Sequence, residues 1–182
     1  ALEGDGFFQI RTAGGELQYT RDGGFIISPV AQGNMLCTTD GNEVLDAYGN
    51  AIVLPKDRVA TDLVVNQDGT LAFPDATGNP ATLKDAAGRP VKFGIYQFNN
   101  PAGLAKEGSN NFSVTVASGA AVAENGNANV TATKTHQYYE EGSNVDVANE
   151  MVNLIVAQRA YEMNSKAIQA SDEMMQQANN LR

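Results

Sequence analysis

The 182-residue sequence contains no tryptophan, one cysteine and one histidine. With Cys37 alone there is no internal disulfide framework. With His136 as its sole imidazole, a Cys/His zinc site is excluded and a Cys–His nucleophile pair has no supporting pattern. Basic residues are scarce: 12 Lys and Arg stand against 21 Asp and Glu, for a formal net charge of −9. Phosphates are held by Lys/Arg clusters, and no such run occurs, so neither nucleic acid nor an anionic membrane surface is an expected partner. No apolar run approaches the roughly 18 residues of a membrane-spanning helix, so no membrane insertion is expected. No secretory signal peptide is visible at the start.

Catalytic patterns are equally sparse. Glu140 and Glu141 are adjacent, and in a strand they would point to opposite faces, which argues against a working carboxylate pair. Asp5, Asp22, Asp40 and Asp68 each precede a glycine, which reads as turn chemistry, because the spacing of a calcium loop is missing. The glycines of EGDGFF open no helix and precede no Lys-Ser/Thr, so they form no phosphate loop. These residues support no enzyme, cofactor, metal site or small-molecule substrate.

What is present is mainly β. Short β-rich runs such as GFFQIRT, LQYT, GFIIS, NMLCTT, EVLDA and AIVL are separated by Gly- and Asp-rich turns. DLVV-NQDG-TLAF reads as a hairpin, and 74–90 as a loop with at most one short strand. VKFGIYQF alternates with a period of two and reads as a strand, as does NFSVTVAS. Of the paired Phe7 and Phe8, one is expected in the core and the other on an interface or second sheet. No exact repeat stands out. The fold class expected is a compact antiparallel β domain, barrel-like or of packed sheets, over 1–138, with a flexible linker at about 118–129. A C-terminal helical segment, 139–182, follows it.

That last segment differs in kind, since all 18 Gly and all 6 Pro lie upstream of Val145. Asp146 is positioned as an N-cap, and nothing interrupts a helix from Val147 to about Asn180. At 1.5 Å per residue that is roughly 50 Å, long for a domain of this size. Val147, Met151, Leu154, Tyr161 and Ile168 fall on one side at heptad-like spacing, with Gln158 and Ser165 as polar breaks. Val152, Val156, Ala160, Met163, Ala167 and Ala170 fall opposite, most of them small. Arg159, Glu162 and Lys166 lie on a charged flank, with Glu162 placed to support Lys166 one turn on. A helix on the surface of a monomer needs one apolar stripe. Either the second stripe reflects the high helix propensity of Ala, or the helix is sandwiched between neighbours. The second reading makes both stripes assembly interfaces.

In order along the chain, LEGDGFFQI, LQYTRDGGFIIS, GNEVLDAYGNAIVLP, FNNPAGL and EGSNVDVANEMVNLIVAQRAYEMNSKAIQASDEMMQ resemble the bacterial flagellar hook and basal-body rod proteins. The C-terminal block is the most specific. Within it Gln158, Arg159, Tyr161, Asn164 and Lys166 carry a motif closest to the distal-rod branch of that family. The resemblance implies a non-enzymatic, self-assembling subunit of the axial drive shaft that transmits torque. It implies partnership through helices with copies of itself and with other axial rod and hook proteins, inside a bushing ring. It also implies an extracytoplasmic place in the cell envelope, reached through the flagellar type III apparatus without a cleaved signal peptide. A sister hook or proximal rod protein is the nearest alternative. A surface adhesin or glycan-binding β domain with a helical stalk is the alternative of a different class.

Two departures stand out. The chain opens at the β domain rather than at the family's N-terminal helical region, so a piece lacking that region is expected. ATKTHQYYEEGSNV also replaces a more usual Gly-rich approach to the helix. Without its N-terminal partner, the helix is expected to self-associate, to dock on its own β domain or to be poorly ordered.

Overall fold

The computed structural model describes residues 1–180 apart from Gln32, Val59, Ala76, Thr77 and the side chain of Ala60. Internal contacts divide the chain into two units, Ala1–Glu141 and Gly142–Arg182. The first is built of antiparallel strands and the second holds one long helix.

In the first unit the strands run in chain order: β1 (Leu2–Glu3), β2 (Phe7–Arg11), β3 (Leu17–Thr20), β4 (Ile26–Val30), β5 (Gly33–Cys37), β6 (Glu43–Val44), β7 (Val53–Leu54) and β8 (Val64–Val65). They continue as β9 (Leu71–Pro74), β10 (Pro80–Thr82), β11 (Ile95–Gln97), β12 (Ala105–Gly108), β13 (Asn111–Ser113), β14 (Val122–Ala123) and β15 (Lys134–Thr135). Ten of them form one branched sheet with the central order β12-β13-β3-β2-β6-β5-β4. The order β10-β9-β8 makes a second sheet, and β1 with β15 a third.

The strand β2 holds the large sheet together. It pairs along its length with β3, while its other edge pairs first with β11, through Phe7 and Phe8, and then with β6, through Ile10 and Arg11. Successive strand residues point to opposite faces, so its four buried residues split between two cores. Phe8 and Ile10 enter the larger cluster with Leu36, Val44, Ile52, Leu54, Leu71 and Phe93. Phe7 enters a smaller cluster with Tyr19, Phe98 and Leu104. Edge-to-face contacts fix both: Phe8 meets Phe25 at 5.0 Å and Phe93 at 5.1 Å, and Tyr19 meets Phe98 at 4.9 Å. Gln9, also buried, donates to the Tyr19 hydroxyl at 3.4 Å.

Among the described residues six turns share one design. In Thr12–Glu16, Thr38–Asn42, Asp46–Asn50, Asn66–Thr70, Asp75–Asn79 and Asp85–Arg89 the first N–H donates to the fifth carbonyl, and a glycine at the fourth place donates back to the first. Those glycines lie at φ between 79° and 84°, the left-handed geometry that glycine adopts without strain. In five of the six the first side chain also accepts from the fifth N–H. The repeat escapes a search for Asp-Gly pairs, because the capping residue stands three places before the glycine.

The sequence expectations for two strands need correction. Val91, Phe93 and Ile95 are buried as the alternation implies, but Gly94 between them is buried too, and ladder pairing covers only β11, with isolated bridges at Lys92 and Phe93. The Gly94 backbone donates to Leu45 O and accepts from Gln9 N–H. A Cβ there would lie 2.6 Å from the Asp46 carbonyl oxygen. The strand expected over 111–118 stops at Ser113. Beyond it the Thr115 and Ser118 hydroxyls take the backbone groups of a turn, in competition with any ladder. Within the stretch 118–129, Val122–Ala123 forms β14 against β11, and Ser118 is fully buried.

Four edge strands, β4, β8, β10 and β12, are unsuited to adding another strand. Pro29 interrupts the donors of β4, Pro80 opens β10, and a bulge with exposed Lys106 and Glu107 marks β12. On β8 the Gln137 side chain accepts from Val65 N–H at 2.9 Å and donates to Leu63 O at 2.6 Å, which occupies that edge.

Replacing Gly94 by Ala should cost about 1–3 kcal/mol, because backbone rather than a movable side chain blocks the added methyl; chemical denaturation of the variant measures it. Acid sensitivity follows from the turns. Backbone hydrogen bonding from Arg89 holds the Asp85 carboxyl below the usual carboxylate range. At Asp68 burial opposes ionisation, but the bonds from Thr70 outweigh it and the net shift is also downward. A depressed folded value adds stability above the usual carboxylate range, and that stability is lost as pH falls through the depressed value. Denaturation midpoints should therefore fall on acidification, and less steeply in Asp85→Asn.

Candidate assembly helix

In the second unit α1 spans Val147–Asn180. Its start is set by Asp146, whose Oδ1 accepts the Ala148 N–H at 2.9 Å and whose Oδ2 accepts the Asn149 side-chain amide at 2.8 Å. That satisfies one of the unpaired donors of the first turn and sets a negative charge at the positive end of the helix dipole. Without Gly or Pro, 34 residues continue for roughly 51 Å.

No described residue of α1 is buried. Val147, Met151, Leu154, Tyr161 and Ile168 are all exposed, Tyr161 at 78%. The opposite stripe is exposed as well: Val152, Val156, Ala160, Met163, Ala167 and Ala170. The structure therefore places every residue of the two stripes on a continuous helix, with the apolar atoms of both in the open. Val147, Leu154, Tyr161, Ile168 and Met175 recur at intervals of seven. A seven-residue repeat drifts about 20° per heptad on a straight helix, so a partner can follow it only by left-handed supercoiling. Met175 was missed as the last member, and counting sevens from Val147 finds it. Exposed Ile155 was also missed, on the charged flank.

The motif residues Gln158, Arg159, Tyr161, Asn164 and Lys166 are likewise exposed on this helix. Glu162 and Lys166 form no ion pair among the described residues, so their spacing supplies no contact here.

In the first unit a crevice of about 540 Å³ is lined by Arg21, Asp22, Phe112, Tyr139, Glu140 and Glu141, among others. Arg21 spans it, with Nε 2.9 Å from Glu141 and Nη1 donating to Gly4 O and Gly6 O. Glu141 is thus paired with a cation rather than with Glu140. His136 Nε2 lies 2.7 Å from Glu3, and this contact is the main reason the Glu3 carboxyl is held below its ordinary range. These contacts fasten both ends of the β unit. Among the described residues no group of His, Cys, Asp or Glu is placed to hold a metal ion, and no helix is long and apolar enough to cross a membrane.

Residues 1–73 match the family model of the flagellar hook protein FlgE/F/G D1 domain. Residues 136–181 match that of the flagellar basal body rod FlgEFG protein C-terminal region. The chain belongs to the flagellar hook and basal-body rod family. It is 39% identical over its whole length to the flagellar basal-body rod protein FlgG of Borreliella burgdorferi, and 38% identical to FlgG of Bacillus subtilis. Identity to FlgG of Agrobacterium fabrum is 40% across 96% of this chain. The alignments cover 63%, 64% and 60% of those relatives, so the chain spans somewhat less than two thirds of their length.

The cap gives a direct test of how α1 begins. Asp146→Ala should weaken the helix by about 1 kcal/mol and shift its start toward the C-terminus. Faster amide exchange at residues 147–150, with the β unit unaffected, would be the readout.

Proposed function

We propose that this chain is part of a structural, non-enzymatic subunit of the bacterial flagellar basal-body rod, which stacks helically into the axial shaft that carries torque. The observation that carries the reading is the helix Val147–Asn180, apolar on two opposed sides and exposed along both. Relatives named as FlgG over the whole chain support it. In this reading Val147, Met151, Leu154, Tyr161 and Ile168 meet one neighbouring helix, and Val152, Val156, Ala160, Met163, Ala167 and Ala170 admit a second at close range. Gln158, Arg159, Asn164 and Lys166 supply polar contacts between them. The partners are copies of the chain and other rod and hook proteins, with a bushing ring outside. The site of action is the envelope-spanning basal body, outside the cytoplasm, reached by the flagellar export route without a cleaved signal. The blunted edges of β4, β8, β10 and β12 favour the same reading, because they leave helices rather than open sheets to join subunits.

A sister protein of the same axial structure is the second reading. It is favoured by 37% identity to the flagellar hook-basal body complex protein FlhP of Bacillus subtilis.

Two measurements test the proposal. In sedimentation equilibrium the chain should associate with rising concentration, and Leu154→Glu with Ile168→Glu should return it to a single-chain mass; a wild-type chain that stays monomeric at all concentrations contradicts it. In the parent bacterium, deletion should abolish motility. Restoration with the full-length protein should succeed, and restoration carrying Val156→Glu should stall the basal body.

A further inference from the structure

Asn125-Gly126 is the one asparagine–glycine pair in the sequence. Residues 124–127 form a turn closed by the Asn127 N–H on Glu124 O at 3.2 Å. Gly126 lies at φ 76° with open space around the position a Cβ would take. Asn125 and Gly126 are both exposed. The Asn125 side chain makes no hydrogen bond among the described residues, whereas the amides of Asn50, Asn66, Asn100, Asn110 and Asn149 are all engaged.

We propose that Asn125 is a site of spontaneous covalent modification, in which its side-chain amide is lost to the neighbouring backbone. The Gly126 backbone nitrogen attacks Asn125 Cγ and forms the new C–N bond. The bond from Cγ to the side-chain nitrogen breaks, and the proton of the Gly126 amide leaves with it as ammonia. The resulting five-membered imide adds water across one of its two C–N bonds. One product is aspartate and the other a β-linked isoaspartate, with no change in oxidation state. A residue with a Cβ at position 126 would crowd the attacking nitrogen, which is why glycine matters here.

Asp5, Asp22, Asp40 and Asp68 also precede glycine but are weaker candidates, because an ionised carboxylate is a poor electrophile. Two of them are further tied: Asp22 Oδ1 accepts the Gly24 N–H, and Asp68 Oδ1 accepts both the N–H and the hydroxyl of Thr70. The consequence at Asn125 is local but structural. Its neighbour Glu124 accepts from Thr133 N–H at 2.8 Å, Thr133 Oγ1 at 2.6 Å and Gln97 Nε2 at 2.7 Å. A second carboxylate beside Glu124 repels that clamp, and the β-linked product lengthens the backbone of the turn that presents it.

The test holds the folded 182-residue chain in warm, mildly alkaline buffer made with oxygen-18 water, followed by peptide mapping with mass spectrometry. Labelled acid should accumulate at residue 125 at least about tenfold faster than at any other asparagine or Asp-Gly pair, a margin equivalent to about 1.4 kcal/mol of barrier. Asn125→Gln should remove the labelled product while leaving the fold intact. In the aged wild type, amide exchange at Thr133 should rise with the isoaspartate fraction. The proposal is overturned if the folded chain converts residue 125 no faster than its other asparagines, or if only the unfolded chain reacts there.

Discussion

The β unit depends on one strand that has no free face. Phe7–Arg11 is paired on both edges and buried on both sides, so each of its residues is committed to a partner. Phe8 and Ile10 fill the larger core, and Phe7 fills the smaller one. A one-residue slip would exchange the two sets and carry the Gln9 amide into the larger apolar cluster without Tyr19 to receive it. The register of β3, β6 and β11 is therefore set by this strand.

Around that centre, local chemistry closes the hairpins. Six turns repeat a capped first residue and a glycine at the fourth place, so the route of the chain is written many times over in short-range signals. The same economy protects the edges. Prolines, a bulge and a glutamine side chain occupy the places where a neighbouring strand would add. The long exposed apolar surface lies instead on the helix of the second unit, where seven-residue spacing would give a partner helix a defined path.

The sequence made much of this legible. The capped start of the helix at Val147 and its long unbroken run were legible, because propensity, an N-cap and the absence of breakers agree. Val91, Phe93 and Ile95, which alternate in the sequence, all lie in the larger core. Where the reading failed, long-range backbone contacts or hydroxyl competition were the cause. Gly94 reads as a polar-face position, yet it is buried because two other strands approach its main chain. Thr115 to Ser118 reads as β-rich, yet its hydroxyls bind its own backbone.

By itself the sequence determined the class of each half, the cap, the heptad and the resemblance that assigns the family, since all of these are properties of neighbours in the chain. Only the tertiary structure decided how Phe7 and Phe8 divide between two cores, that Arg21 and not Glu140 is the partner of Glu141, and that six turns share one hydrogen-bond pattern. Those outcomes depend on which distant backbones meet. Pairing between strands far apart in sequence is fixed by packing and register, and a linear string does not carry that register until the strands have been placed side by side.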